Sequence, residues 1–250
     1  MMQTDIQVTQ NKYKLWVLSL FAVILMIRLV LMLIANKNLF PIANLKIEAP
    51  YHFISRHHLQ KVLTPYLNQS FVMFSEKKLM QDIKKIPWTE AVNVKKTYPD
   101  QVIVQIMERN PVAIYNNMIM SEKGDLFKPL KLKKLSAYPH FYGPESQQKD
   151  ILHIYEKLSK LLKIQDLFIS EIHLHDNQAW DLTLHNGVIL RLGKQDIERR
   201  LSRFIQVYPK LFAARFDQIT CIDLRYANGI AVSWKTSGDL INSNPQKNMG

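Results

Sequence analysis

Between Leu15 and Ala35 the chain reads LWVLSLFAVILMIRLVLMLIA, 21 residues with one charge. A helix needs roughly 20 apolar residues to cross the hydrocarbon of a bilayer, and no other segment of the 250-residue sequence approaches that length. A cleaved leader would carry a shorter apolar core and then small residues at the cut site. Here Asn36, Lys37 and Asn38 follow, so the run is expected to stay as an anchor. Its one charge, Arg28, lies seven residues from the far end. A mid-bilayer Arg costs roughly 2.5 to 3.5 kcal/mol on insertion scales. Two readings relieve that cost: the long side chain reaches outward to the head groups, or it pairs with a neighbouring helix in the membrane. Lys12 and Lys14 before the span nearly balance Lys37 and Lys46 after it, so charge leaves the orientation open. Residues 1–14, short, polar and without a helix cap, are expected to form a flexible tail.

Lys12, Lys14 and Arg28 against Asp5 lie before residue 36, which leaves the remainder with 30 basic and 20 acidic side chains, a surplus of ten. Such a surplus favours acidic partners. The basic residues are nevertheless scattered as short pairs, such as Lys77-Lys78, Lys84-Lys85 and Arg199-Arg200, and no nucleic-acid motif frames them, so a solvated surface is the simpler use. Cys221 is the only cysteine, and no disulfide can form within the chain.

Past the anchor, 44–49 alternates as a short strand. Ser55 is a candidate N-cap for a helix reaching about Leu63, with Ile54, His58, Leu59 and Val62 on one side. Ser75 caps a second helix over 77–86, where Leu79, Ile83 and Ile86 recur at helical spacing and Pro87 ends the pattern. Two alternating runs, 91–96 and 101–108, are joined by Thr97-Tyr98-Pro99-Asp100 and read as a hairpin. The order strand, helix, helix, strand, strand makes a compact α+β unit. Beyond it, 113–120 is expected to be extended, with a Lys123-Gly124-Asp125 turn and a Lys- and Pro-rich loop up to Pro144. A helix over 150–163 and strands at 170–175, 179–185 and 188–192 follow, the last two joined by Asn186-Gly187. A helix over 195–211 leads to a closing hairpin, Ile222 to Trp234, and a polar tail from Thr236.

Signals for catalysis are weak. Ser75-Glu76-Lys77-Lys78 fits the S-x-x-K of penicillin-interacting serine enzymes, but no S-x-N follows and Lys235-Thr236-Ser237 lacks the required glycine. A helix N-cap accounts for Ser75. His173 and His175 share a strand face with Asp176 beside them, yet the other six histidines supply no third ligand at zinc spacing. With seven glycines the chain holds neither G-x-G-x-x-G nor a Walker pattern.

Several motifs then occur in a specific order: Ile86-Pro87-Trp88; Val92-Asn93-Val94-Lys95-Lys96; Tyr98-Pro99; Val102-Ile103-Val104, Ile106 and Glu108; Pro111-Val112-Ala113 and Tyr115. Phe141-Tyr142-Gly143-Pro144-Glu145, Trp180-Asp181-Leu182-Thr183-Leu184, Arg200-Leu201-x-Arg203-Phe204 and Ile222-Asp223-Leu224-Arg225-Tyr226 follow, closed by a strand ending in Trp234. In this order they resemble the FtsQ/DivIB family of bacterial cell-division proteins over nearly the whole chain. The resemblance implies a cytoplasmic tail over 1–14, a transmembrane helix over 15–35 and a periplasmic POTRA domain of β-α-α-β-β order over 40–110. After these come a mostly antiparallel β domain with flanking helices over 111–235 and a flexible tail over 236–250. It implies the topology that charge leaves open, N-terminus cytoplasmic and the rest periplasmic, in an inner-membrane protein enriched at the division septum.

The implied role is a scaffold of the divisome rather than an enzyme, without cofactor, metal, nucleic acid or small-molecule substrate. It would bind FtsB and FtsL through the β domain, have further contacts with FtsK, FtsW and FtsI, and help recruit and control septal peptidoglycan synthesis. The expected partner-binding residues are Arg225, Tyr226, Asn228, Gly229, Ile230, Val232, Ser233 and Trp234. An edge strand offers unpaired backbone groups to a partner strand, Tyr226 and Trp234 would anchor it, Arg225 would meet an acidic residue, and Asn228 and Gly229 would serve the turn. If these residues only pack the domain, alternation puts Tyr226 on one face with Ile222 and Leu224. The chain departs from the family pattern at Ala49-Pro50, where Gly is common, and at Tyr98 and Tyr115, where Trp is common. It also departs at Asn177 and Gln178, where a pair of arginines, one of them implicated in gripping FtsB, is usual. The alternatives are a POTRA-containing component of outer-membrane assembly or polypeptide transport, which would need a barrel or repeated POTRA units, and an anchored cell-wall enzyme.

Overall fold

A single helix, α1 (Met2–Ala35), opens the chain. The computed structural model describes residues 2–128 and 137–236, with side chains from Trp16 onward. Helix geometry therefore begins at residue 2 instead of after an irregular tail. A long run of strong formers supplies the costly nucleus, and propagation then adds one hydrogen bond per residue through polar positions. No residue of the apolar window Trp16–Ala35 is buried by the rest of the protein, and only Ile34, at its end, is partly covered. A helix of this length, apolar around its circumference and exposed along nearly all of it, fits an apolar solvent.

The chain divides into two units, Met1–Arg109 and Asn110–Gly250. In the first, β1 (Asn44–Glu48), α2 (Arg56–Leu67), α3 (Glu76–Lys84), β2 (Thr89–Thr97) and β3 (Gln101–Glu108) follow in the expected order. The sheet order is β1-β3-β2, with β1 parallel and β2 antiparallel to β3. Alternation in β3 sends Val102, Val104, Ile106 and Glu108 inward, against Leu59 and Leu63 of α2 and Leu79 and Ile83 of α3. Ser75 caps α3, its Oγ accepting from Lys78 N at 3.4 Å. Ser55 has the extended backbone of a cap but makes no side-chain cap bond. His58, expected on the inner side of α2, is exposed, and Tyr66, one turn beyond the expected end, is buried instead. Packing by Leu63 and Tyr66 carries that helix through Pro65 despite the hydrogen bond a proline removes.

The carboxylate of Glu108 accepts backbone N–H bonds from His52 and Phe53 at 3.0 Å and from Ile54 at 2.9 Å. One buried side chain thus satisfies three successive backbone donors ahead of α2, which explains an acidic residue at an inward strand position.

The second unit is built on a nine-stranded sheet. Its strands are β4 (Pro111–Tyr115), β5 (Met118–Ser121), β6 (Leu126–Phe127), β7 (His140–Tyr142), β8 (Ile169–Leu174), β9 (Trp180–Leu184), β10 (Ile189–Gly193), β11 (Ile219–Asp223) and β12 (Ala231–Trp234). They stand in the order β12-β11-β10-β9-β8-β7-β4-β5-β6. Most joins are antiparallel; β4/β7, β7/β8 and β10/β11 are parallel. Helices α4 (Gln148–Leu162) and α5 (Ile197–Leu211) pack against β8 and β10 and against each other. The core joins Leu158, Leu162, Leu201 and Phe204 to Ile172, Leu182, Leu190 and Ile222.

Two local differences from expectation have clear causes. The run 113–120 is a hairpin and not one strand, because Asn116 and Asn117 take positive φ of 42° and 69°, a conformation Asn tolerates better than most residues. The stretch before Pro144 holds β7, whose Phe141 is fully buried; three residues are too few for alternation to signal a strand. Residues 129–136 of the expected Lys- and Pro-rich loop and 237–250 of the C-terminal tail lie outside the described residues.

Candidate functional site: the β12 edge

Among the described residues, β12 is an end strand of the large sheet, paired on one side only, with β11. The direction of its free groups follows from the ladder. Leu224 N donates to Arg191 O on β10 at 2.9 Å, so residues 222 and 224 turn their backbone groups toward β10, and Cys221 and Asp223 turn theirs toward β12. Their partners Ser233 and Ala231 consequently face inward, and the Ser233 carbonyl also accepts from Thr220 Oγ1 at 3.0 Å. Val232 is left with its N–H and C=O pointing out of the sheet. Lys235 N donates to Gln218 O at 2.7 Å, which turns Trp234 outward in the same way. An irregularity in register between Ile219 and Cys221 twists this edge further from the plane.

Side chains follow a matching division. Ile230 and Val232 pack partly against the core, while Tyr226 is 57% and Trp234 48% exposed. Large aromatic surface beside a row of free backbone groups is the chemistry of a strand-accepting site.

The connection before β12 is held by α5. Arg203 Nη2 donates to Tyr226 O at 2.7 Å, Leu224 O at 3.3 Å and Gly229 O at 3.4 Å, and its Nη1 donates to Ala227 O. A planar guanidinium with several fixed donors suits converging carbonyls better than an ammonium does. One helical turn away, Arg200 Nη1 donates to Leu192 O at 2.5 Å.

Arg225 is already engaged. Its Nε bonds Asp223 Oδ1 and Oδ2 at 2.9 and 3.0 Å and its Nη2 bonds Oδ2 at 2.6 Å, a fork-to-carboxylate contact. Those hydrogen bonds hold the Asp223 carboxyl below its usual range against the opposing effect of burial, and the same bonds raise the guanidinium of Arg225. Burial pushes the Cys221 thiol up, away from thiolate chemistry. Gly193, at φ 75°, lies beneath both arginines: a Cβ there would come within 2.7 Å of Arg200 Nη1 and 3.1 Å of Arg225 Cγ. Beside them is an open depression of about 210 Å³ lined by His175, Asn177, Asp181, Arg191 and Arg225 among others. His175 Nε2 lies 3.0 Å from Asp181 Oδ2, and His173 lies 3.5 Å from Glu171.

All eight expected residues fall in one hairpin, with three changes. Tyr226 does not continue the face of Ile222 and Leu224, because β11 ends at Asp223 and Tyr226 stands in the loop. Asn228 and Gly229 do not form a tight two-residue turn: residues 224–230 connect the strands, and neither residue has positive φ. Ile230 precedes β12, which starts at Ala231. The structure adds Asp223, Arg191 and Arg203 to the site: Asp223 and Arg203 carry a sequence signal only as members of the Ile222-Asp223-Leu224-Arg225-Tyr226 and Arg200-Leu201-x-Arg203-Phe204 motifs, and Arg191 carries none.

Among the described residues, one membrane-length helix, a β-α-α-β-β unit and a sheet unit ending in an aromatic-flanked edge strand define a POTRA-bearing protein with an N-terminal apolar helix. The model for the FtsQ-type POTRA domain matches residues 40–109, and that for the C-terminal region of cell division protein FtsQ/DivIB matches residues 113–225. A cell division protein FtsQ from Shewanella oneidensis is 30% identical over 195 residues, covering 78% of this chain and 74% of its own length. Its namesake from Coxiella burnetii is 27% identical, with 80% and 83% covered, and that from Cellvibrio japonicus is 27% identical, with 78% of this chain but 61% of the relative covered. The chain belongs to the FtsQ/DivIB family of cell-division proteins.

Proposed function

We propose that the chain is a non-enzymatic scaffold of the divisome, held in the inner membrane by α1 with its N-terminus cytoplasmic and its two folded units periplasmic, and gathered at the septum. Its second unit captures FtsB, together with FtsL, by strand addition along β12. With further contacts to FtsK, FtsW and FtsI it recruits and controls septal peptidoglycan synthesis. The observation that carries this reading is the outward row of backbone groups at Val232 and Trp234, flanked by exposed Tyr226 and Trp234. Backbone pairing supplies affinity and the two rings supply selectivity. Arg225 differs from a free cation awaiting an acidic residue: Asp223 fixes the guanidinium in place and offsets its charge. Arg191, on the wall of the same depression, adds a cation near Asn177, where the family pattern has arginine.

The test is affinity of the full chain in detergent micelles for the periplasmic segment of FtsB. Tyr226→Ala and Trp234→Ala should each weaken binding by about 2 kcal/mol, roughly thirtyfold, with little change in melting. Val232→Pro, which removes an outward N–H without touching the ladder, should do the same. Unchanged affinity in both aromatic variants removes the site, and unchanged affinity in Val232→Pro removes strand addition. Depletion of the protein should give filamentous, unseptated cells.

A further inference from the structure

The apolar window of α1 ends at Ala35 after 20 residues, and at 1.5 Å per residue that length spans the roughly 30 Å of bilayer hydrocarbon. The carbonyl of Ile34 therefore stands at the boundary between hydrocarbon and head groups. The folded part of the first unit is bonded directly to that point. Ser70 Oγ donates to Ile34 O at 2.7 Å and Phe71 N donates to Phe40 O at 2.7 Å. Ser70 is 2% exposed, so this bond is internal to the fold and ties the end of the anchor to the domain. The loop between α2 and α3 is thus held within a few ångströms of the lipid.

What that loop and its surroundings present is apolar. Val72 and Met73 follow Phe71 and are exposed, as are Leu39 and Phe40 at the end of the span. Tyr98, 79% exposed, stands edge-on to Phe71 with ring centroids 5.3 Å apart. Lys96 stiffens the loop from within: its Nζ lies 4.8 Å from the Phe71 ring centroid and donates to Phe74 O at 3.2 Å. Single exposed apolar residues need no explanation. These five adjoin the end of a membrane span, and an amphipathic Tyr is the residue type enriched at the lipid–water interface.

We propose that this face rests in the bilayer that α1 crosses, with Val72 and Met73 inserted among the head groups and Leu39, Phe40 and Tyr98 beside them. The proposal rests on the reading of α1 as a span, and its occupant is the lipid of that same membrane.

The experiment uses the full chain with Cys221→Ser, reconstituted in phosphatidylethanolamine–phosphatidylglycerol vesicles, and one nitroxide at a time on Leu25→Cys, Met73→Cys or Met107→Cys. All three native side chains are exposed. Met107 lies six residues along β3 from Gln101, roughly 20 Å at 3.3 Å per residue. Collision rates with oxygen, which partitions into lipid, and with a water-soluble nickel chelate are compared. Leu25 should favour oxygen and Met107 the chelate, while Met73 should show an oxygen-to-chelate ratio several-fold above that of Met107. A Met73 ratio equal to that of Met107, with Leu25 still in lipid, overturns the docking and leaves the span intact. Chelate access at Leu25 overturns the span and the docking together.

Discussion

Two acidic side chains illustrate how single residues fix this fold. Glu108 satisfies three backbone donors ahead of α2; Glu108→Ala leaves them without an acceptor and should lower unfolding free energy by about 3 kcal/mol, measured by denaturant titration. Asp223 acts through its charge. Its folded-state pKa is depressed by the Arg225 hydrogen bonds, so its contribution to stability is complete above the unfolded value near ~4 and disappears as pH falls through the lower folded value. Wild type should therefore lose stability below about pH 4 more steeply than Asp223→Asn, with melting curves from pH 2 to 7 as the readout. Sequence pattern made some of this legible. An inward acidic residue closing an alternating strand was visible at Glu108, whereas the pairing of Asp223 with Arg225 depends on a chain direction that changes after β11.

Among elements, the regular ones were readable and the short ones were not. Leu79, Ile83 and Ser75 announced α3, and alternation announced β2, β3, β8 and β9, because repeated burial imposes a period. β7 is buried between two parallel neighbours and is three residues long, so it has no period to detect. The loop ahead of β12 was equally opaque: it looked like a turn at Asn228-Gly229, but its shape is imposed from α5 by Arg203. Arg203→Lys keeps the charge and loses the fork. It should cost about 2 kcal/mol of stability and weaken partner binding even though Arg203 lies behind the proposed contact surface. Retained affinity would show that the loop holds its shape without it.

At the scale of the molecule, each unit carries its own buried core, one around Leu79 and Val104 and the other around Phe204 and Leu182. A fragment of residues 110–236 should therefore unfold in one cooperative transition, as should 37–109, each detectable by circular dichroism; a fragment that melts without a transition would refute its autonomy. The bonds from Ser70 to Ile34 and from Phe71 to Phe40 set direction as well as depth. A domain on a slack tether swivels freely about its stalk, but one bonded to the last turn of its helix and again to the segment just beyond it turns with the helix. Any helix that packs against one side of α1 then finds the same side of the folded part of the first unit beyond its end, as a key finds its slot on a shaft.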